Sequence, residues 1–168
     1  MSANLSIART HLWATQNDLP ERVRVEAIVL LNQQLADALD LHLQAKQAHW
    51  NVRGPNFIAL HELFDKLYEV VGEYVDELAE RAVQLGGTAQ GTLQAVVKHS
   101  LLDVYPPVVS SGHDHLKWLA KSLAKFGASV RIAIDASSKA GDADTADLFT
   151  EISRGNDKQL WFIEAHLE

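Results

Sequence analysis

The chain has 168 residues, of which 47% are hydrophobic and 22% charged, a balance typical of one globular domain with a sizeable core. Its 15 Lys and Arg residues against 22 Asp and Glu residues leave a formal net charge of −7, so the field of the whole chain repels polyanions such as nucleic acids. The absence of cysteine excludes disulfides, thiolate zinc sites and thiol catalysis, and it leaves His and carboxylates as the available metal ligands.

The first 20 residues lack the basic start and apolar core of a targeting segment. They contain one Arg (Arg9), one Asp and no Lys, and no apolar run in the chain approaches the roughly 20 residues that span a bilayer. We therefore predict a short, non-basic N-terminal tail over residues 1–20, one domain over residues 21–168, and a cytoplasmic location.

The first two long helices are predicted on either side of a glycine-proline break. Apolar residues recur at spacings of three and four from Glu21 to Trp50, the period of an amphipathic helix, and Arg53-Gly54-Pro55 ends this helix. A second helix is predicted from Asn56 to Leu85, before Gly86-Gly87. Its predicted apolar positions are Phe57, Leu60, Phe64, Leu67, Val71, Leu78 and Val83.

A crossover and two further long helices complete the predicted architecture. Residues 88–107 are interpreted as a crossover that contains a short helix within residues 93–102. A third long helix is predicted from Val108 to Ala140, and a fourth from Asp142 or Thr145 to near the C-terminus. Four long helices with one long crossover predict an all-α, ferritin-like four-helix bundle.

Two pairs of polar residues on the second helix have the spacing of metal ligands. His61 with Asp65, and Asp76 with Glu80, are each four residues apart, so the members of a pair project from one face of the helix. Imidazole and carboxylate ligands suit iron, manganese or zinc. Either pair alone is more often a solvated surface pair, so the prediction depends on their combination.

The distance between the two pairs predicts a site shared by two subunits. Asp65 and Asp76 are 11 positions apart, so they point within about 20° of each other but lie roughly 16 Å apart along the helix axis. One chain cannot close both pairs around a single metal ion. If two such helices pack antiparallel across a two-fold axis, the first pair of one subunit faces the second pair of the other, and His49 could complete the first cluster.

The sequence resembles the Dps mini-ferritins, the DNA-protection-during-starvation proteins. The resemblance rests on Gln47-Ala48-His49-Trp50-Asn51-Val52-Arg53-Gly54-Pro55-Asn56-Phe57, on the spacing of the five candidate ligands, and on Ala79-Glu80-Arg81-Ala82-Val83-Gln84-Leu85-Gly86-Gly87. It extends over nearly the whole chain, to Trp161-Phe162-Ile163-Glu164. The motif is highly specific to the family.

The resemblance implies a four-helix subunit in a hollow dodecamer with ferroxidase sites at two-fold interfaces. It implies oxidation of Fe(II), by hydrogen peroxide in preference to dioxygen, and storage of ferric mineral inside the shell, which protects DNA and the cell from oxidative damage. It assigns His49, His61 and Asp65 of one subunit, with Asp76 and Glu80 of its neighbour, as ligands. Zinc or manganese are possible substitutes for iron at such a ligand set.

Two tryptophans have both a structural and a chemical interpretation. Trp50, beside His49, is interpreted either as an aromatic residue that packs at an interface or as an electron donor that scavenges stray oxidising equivalents near the iron. Trp161 has the same two interpretations. Packing is favoured for both, and the two roles are compatible.

Three aspartates surround the start of the last helix. Asp142, Asp144 and Asp147 are interpreted either as helix-capping carboxylates, which the helix dipole favours, or as residues of the acid-lined three-fold pore that the resemblance implies in this region. Such a pore would guide Fe(II) inward.

The sequence departs from DNA-condensing members of the resembled family. Those members often use a Lys-rich terminal tail, because neutralisation of phosphates supplies most of such affinity. This tail has no Lys, and the C-terminal residues 165–168 add no basic extension. We predict weak or absent DNA binding. The alternatives are a nucleoid-compacting structural protein with secondary metal binding, and a structural bundle whose polar pairs are surface groups or bind zinc inertly.

The remaining histidines have no partner that the sequence predicts. They are His11, His42, His99, His113, His115 and His166. Lys46 and Arg81 are predicted to form ion pairs on the flank of the subunit interface.

Overall fold

A computed structural model describes residues 11–167 and contains five α-helices, with no β-strand in that range. The helices are α1 (Glu21–Asn51), α2 (Phe57–Gln84), α3 (Leu93–His99), α4 (Gly112–Ala140) and α5 (Ala143–Glu164). The predicted all-α architecture, with four long helices and a short helix in the crossover, is confirmed. The first ten residues of the predicted tail, including Arg9, and Glu168 lie outside the described residues, and the division into tail and domain stays a prediction.

The four long helices form two antiparallel hairpins. In the first, α1 packs along α2, with His42 beside Tyr68 and Arg24 bonded to the carbonyl of Leu85. In the second, α4 packs along α5. Helix α1 also lies antiparallel to α4, since Gln34 bonds to Ser129 and, further along α1, Gln44 bonds to Ser122. Because α2 and α4 consequently run in the same direction, the chain must return along the full length of the bundle between them, which explains the long crossover.

Large apolar side chains fill the space between the hairpins. Those with less than 2% exposure include Leu31, Leu35, Phe64, Leu67, Leu78, Leu119, Leu123, Phe126 and Phe149. Five predicted apolar positions of the second helix are buried, whereas the other two, Phe57 and Val83, are exposed in the single chain. They stand in the first and last turns of α2, where no other helix of the same chain covers them.

Two aspartates of α1, one buried and one partly buried, hold the crossover against the bundle. The side chain of Asp37 accepts a hydrogen bond from the backbone N–H of Leu101 at 2.7 Å, and Asp40 accepts one from Ser100 at 2.5 Å. Burial raises the pKa of the Asp37 carboxyl. These contacts join residues about 60 positions apart, so they form only when the crossover lies along α1.

The helix ends agree closely with the predicted ones, with one exception. Helix α4 starts at Gly112 rather than at Val108, because Ser111 is its N-cap and its hydroxyl accepts a hydrogen bond from the N–H of Asp114. Gly141 ends α4 in the left-handed region at φ 92°, as its position predicted. No helix in residues 11–167 is long and apolar enough to cross a membrane.

Candidate metal centre

His49 and His61 form a stacked pair across α1 and α2. Their ring centroids lie 3.7 Å apart with an interplanar angle of 22°. His49 stands in the last turn of α1 and His61 in the second turn of α2, and the short loop between the helices brings them together. The 12-residue separation in sequence thus becomes direct contact, as expected if His49 completes the first ligand cluster.

Each imidazole is oriented by the backbone of the other residue. His49 Nδ1 lies 2.8 Å from the carbonyl oxygen of His61, and His61 Nδ1 lies 2.9 Å from the carbonyl oxygen of His49. Since a carbonyl oxygen only accepts, each Nδ1 must carry the hydrogen and donate it. In the neutral rings, both Nε2 atoms therefore keep their lone pairs. Backbone orientation of this kind is what metal-ligating histidines ordinarily have.

Asp65 lies beside this pair but is engaged by a lysine. Its Oδ1 is 3.8 Å from His49 Nδ1 and forms an ion pair with Lys46. The hydrogen bond from Lys46 lowers the pKa of the Asp65 carboxyl. Asp65 is therefore a carboxylate at neutral pH. A metal cation that binds this carboxylate would have to compete with the ammonium group of Lys46.

Asp76 and Glu80 occupy a second, separate part of α2. Both residues are exposed, and α2 is continuous from Phe57 to Gln84. The 11 residues between Asp65 and Asp76 correspond to roughly 16 Å of helix. Within residues 11–167, no three His, Asp or Glu side chains of one chain come close enough to hold a metal ion.

The two candidate tryptophans are exposed in the single chain. The exposed fraction is 66% for Trp50 and 63% for Trp161. Trp50 follows His49 directly at the end of α1, whereas Trp161 contacts Phe162 near the end of α5. Neither packs into the core of its own subunit, so a packing role for either requires a neighbouring molecule.

The three candidate pore aspartates separate into one buried cap and two surface residues. Asp142 is 1% exposed, accepts a hydrogen bond from the N–H of Thr145 at 3.0 Å, and pairs with Arg81 at 3.0 Å. The capping interpretation of Asp142 thus describes its place in the single chain, where its carboxylate is a cap and an ion-pair partner, and its role in a pore stays a prediction. Asp144 and Asp147 are exposed on the same helix.

The sequence did not predict the roles of several polar residues. Lys46 and Arg81 form ion pairs as expected, but Lys46 pairs with a candidate ligand. His115 is buried, and its Nδ1 lies 2.7 Å from the hydroxyl of Tyr105. Its spacing of four residues from the buried Leu119 is the signal that could have placed it on the buried face of α4.

Comparison with known proteins finds relatives that are similar to this chain over the whole helical bundle. A family model described as a ferritin-like domain matches residues 28–168. The chain is 48% identical over 160 residues to the DNA protection during starvation protein of Agrobacterium fabrum, which covers 95% of this chain and 98% of that protein.

Solved structures give the same result. DpsC from Streptomyces coelicolor has a TM-score of 0.90 at 31% identity, over 94% of this chain and 92% of that one. Mycobacterium smegmatis Dps has a TM-score of 0.89 at 34% identity, over 94% of this chain and 95% of that one. The similarity covers the helical bundle from end to end and is not limited to one motif.

Proposed function

The chain belongs to the Dps family of ferritin-like proteins, and from this premise we propose that it is a ferroxidase and iron-storage protein. In this proposal, twelve subunits form a hollow shell that oxidises Fe(II), preferably with hydrogen peroxide, and retains the ferric product as mineral. Removal of both reactants protects DNA and the cell from oxidative damage. The protein acts in the cytoplasm.

The pairing of His49 with His61 is the observation that carries the proposal. Two imidazoles whose Nδ1 hydrogens are committed to backbone carbonyls present two Nε2 lone pairs, and Oδ1 of Asp65 lies 3.8 Å from Nδ1 of His49. This donor set of nitrogen and oxygen suits Fe(II), and it would also accept zinc or manganese. A merely structural histidine pair would not need both Nε2 atoms free.

A neighbouring subunit supplies the remaining ligands in this proposal. The roughly 16 Å along α2 prevents Asp76 and Glu80 from reaching the histidine pair of their own chain. Antiparallel packing of two α2 helices across a two-fold axis would bring the acidic pair of one subunit to the histidine pair of the other. Each dimer would then contain two equal sites, with Glu80 the bridge to a second, weakly held iron.

The reaction requires two electrons for each peroxide. Two Fe(II) ions become two Fe(III) ions, and hydrogen peroxide with two protons becomes two water molecules. The carboxylates favour this step because they stabilise Fe(III) more than Fe(II). Paired removal of electrons avoids release of a hydroxyl radical. In this proposal Trp50, which follows His49 in sequence, donates an electron to stray oxidising equivalents near the iron.

Asp144 and Asp147 are proposed to guide Fe(II) into the shell. Both are exposed near the N-terminus of α5, whereas Asp142 is buried beside them as the helix cap. An exposed pair of carboxylates repeated around a three-fold axis would concentrate cations at that opening.

Iron oxidation by the assembled protein tests this function. We expect native protein to oxidise Fe(II) rapidly on addition of hydrogen peroxide, to keep the product soluble, and to suppress hydroxyl-radical adducts of a spin trap. Absorbance, light scattering and electron paramagnetic resonance measure these three quantities. A particle of about twelve subunits is expected. Oxidation no faster than in buffer, or precipitation of the product, would contradict the proposal.

Replacement of Lys46 is expected to improve iron binding. Lys46→Gln removes the ammonium group that competes with Fe(II) for Asp65, so the Fe(II) concentration at half-maximal rate should fall roughly threefold to tenfold. Lys66→Gln is the matched control, because it removes the same charge from an exposed position of α2. An unchanged or higher half-saturation concentration for Lys46→Gln would show that the ion pair does not oppose iron binding.

DNA binding is expected to be weak or absent at neutral pH and moderate salt. The chain has a net charge of −7, and residues 1–20 contain no Lys. A gel shift with native protein should therefore leave DNA unretarded. A variant with Ser2→Lys, Asn4→Lys and Ser6→Lys provides the positive comparison and should retard DNA at low salt. Strong retardation by the native protein would favour the nucleoid-compacting alternative.

A further inference from the structure

One end of the bundle contains a cavity that the proposed iron chemistry does not use. At this end α1 and α5 finish and α2 and α4 begin, and they surround a space of about 490 Å³, here called the end pocket. Its lining includes the basic residues Arg53, His113 and His166, with Leu60 and Leu116 as apolar lining. Of these basic residues, Arg53 is the one that is charged at neutral pH without depending on a partner, whereas His113 lies 3.9 Å from the carboxylate of Asp114.

Arg53 is anchored through its backbone, and its guanidinium remains available. Its N–H donates to the carbonyl oxygen of Ser110 at 2.8 Å, and the residue forms an isolated parallel bridge with Ser111. Within residues 11–167, the arginines that form ion pairs are Arg22, Arg81 and Arg131, not Arg53. An exposed guanidinium without an acidic partner in the same chain is a suitable group to bind an anion.

The beginning of α2 adds a positive electrostatic field to the same cavity. Asn56, which lines the end pocket, is the N-cap of α2 but makes no side-chain capping bond, and no acidic residue follows in the first turn. The positive end of this helix dipole is therefore not neutralised by its own sequence. At the start of α4, in contrast, Asp114 is present and bonds to Ser111 at 2.7 Å.

His166 provides a hydrogen-bond acceptor to this cavity. Its Nδ1 lies 2.7 Å from the carbonyl oxygen of Phe162, so Nδ1 carries the hydrogen and the neutral ring has its lone pair on Nε2. A site that combines Arg53 with this acceptor suits an anion that has both negative oxygens and an O–H group. Inorganic phosphate keeps a proton at neutral pH, sulfate has none, and a phosphate monoester loses its last proton near pH 6.

We propose that the end pocket binds inorganic hydrogen phosphate. Its negative oxygens accept hydrogen bonds from Arg53 and face the N-terminus of α2, while its O–H group donates to Nε2 of His166. The apolar lining of Leu60 and Leu116 would also accept the organic part of a phosphate monoester. Such a monoester is therefore the alternative source of the same phosphate group. This proposal does not rest on the ferroxidase function, because the ligands of the candidate metal centre do not line the end pocket.

Calorimetric titration of the iron-free, assembled protein tests the proposal. Inorganic phosphate, sulfate and phenyl phosphate are compared at pH 7.5. We expect one phosphate per chain and at least about tenfold weaker binding of sulfate and of phenyl phosphate, which lack the proton. Equal binding of phosphate and sulfate, or no binding at millimolar phosphate, would overturn it. Tighter binding of phenyl phosphate would overturn the assignment of the free ion.

Two variants separate a built site from general charge effects. Arg53→Gln should weaken phosphate binding roughly tenfold or more, whereas Arg22→Gln, which removes an exposed arginine at the opposite end of α1, should not change it. If both variants weaken phosphate binding equally, the binding depends on the net charge of the protein and not on a defined site, which would refute the proposal. His166→Phe should abolish the preference for phosphate over sulfate, and a preserved preference would refute the acceptor role. Light scattering verifies that each variant assembles.

Discussion

Asp76→Ala is expected to lower the initial rate of Fe(II) oxidation on the order of a hundredfold, because the proposed site loses a carboxylate that stabilises Fe(III). Asp76 is exposed in the single chain, so its removal should change the free energy of unfolding by no more than about 0.5 kcal/mol. The measurement is the absorbance change after addition of peroxide, on samples of equal particle mass by light scattering.

Glu69→Ala is the matched control for this variant. It removes one carboxylate from an exposed position of the same helix, where Glu69 pairs with Lys66. Its rate should remain within about twofold of the native rate. If Asp76→Ala and Glu69→Ala react alike, Asp76 is not an iron ligand and the shared site is wrong. The structural interpretations of the polar pairs would then be favoured.

Mixed shells of two inactive variants are expected to recover about a quarter of the native activity. In the shared-site arrangement, His61→Ala damages the histidine half of a site and Asp76→Ala damages the acidic half. Random pairing makes about half of all dimers mixed, and each mixed dimer contains one native site and one doubly damaged site. Coexpression of the two variants at equal levels, followed by the peroxide assay, measures this recovery.

The matched control for mixing combines Asp76→Ala with Glu80→Ala. Both substitutions damage the acidic half, so no pairing of these subunits creates a native site and no activity should return. Recovery in the first mixture but not in the second would locate the ligands on two chains. Absence of recovery in both would mean that all ligands of a site belong to one chain, which would refute the two-fold arrangement.

The helices were predictable because their signals are local. The apolar repeat of three and four residues and the glycines after Leu85 and Ala140 lie within the elements that they define, and α1 begins at Glu21 as expected. The start of α4 was misplaced although its signal is also local, because Ser111 and Asp114 have the spacing of a capping box and Ser111 accepts a hydrogen bond from the N–H of Asp114. The predicted start at Val108 missed this signal.

The sequence by itself determined the fold class and the types of the candidate ligands, since the helical spacing of His61 with Asp65 and of Asp76 with Glu80 is set by 3.6 residues per turn. Only the tertiary structure decided how these groups are oriented and which hydrogen-bond and ion-pair partners they have. The reciprocal bonds of His49 and His61 and the ion pair of Lys46 with Asp65 arise where α1 packs on α2. Asp142 is a buried cap paired with Arg81 because Arg81 of α2 reaches the start of α5. Such contacts depend on which helices pack together and in what register, and that is a property of the whole bundle, not of a local spacing.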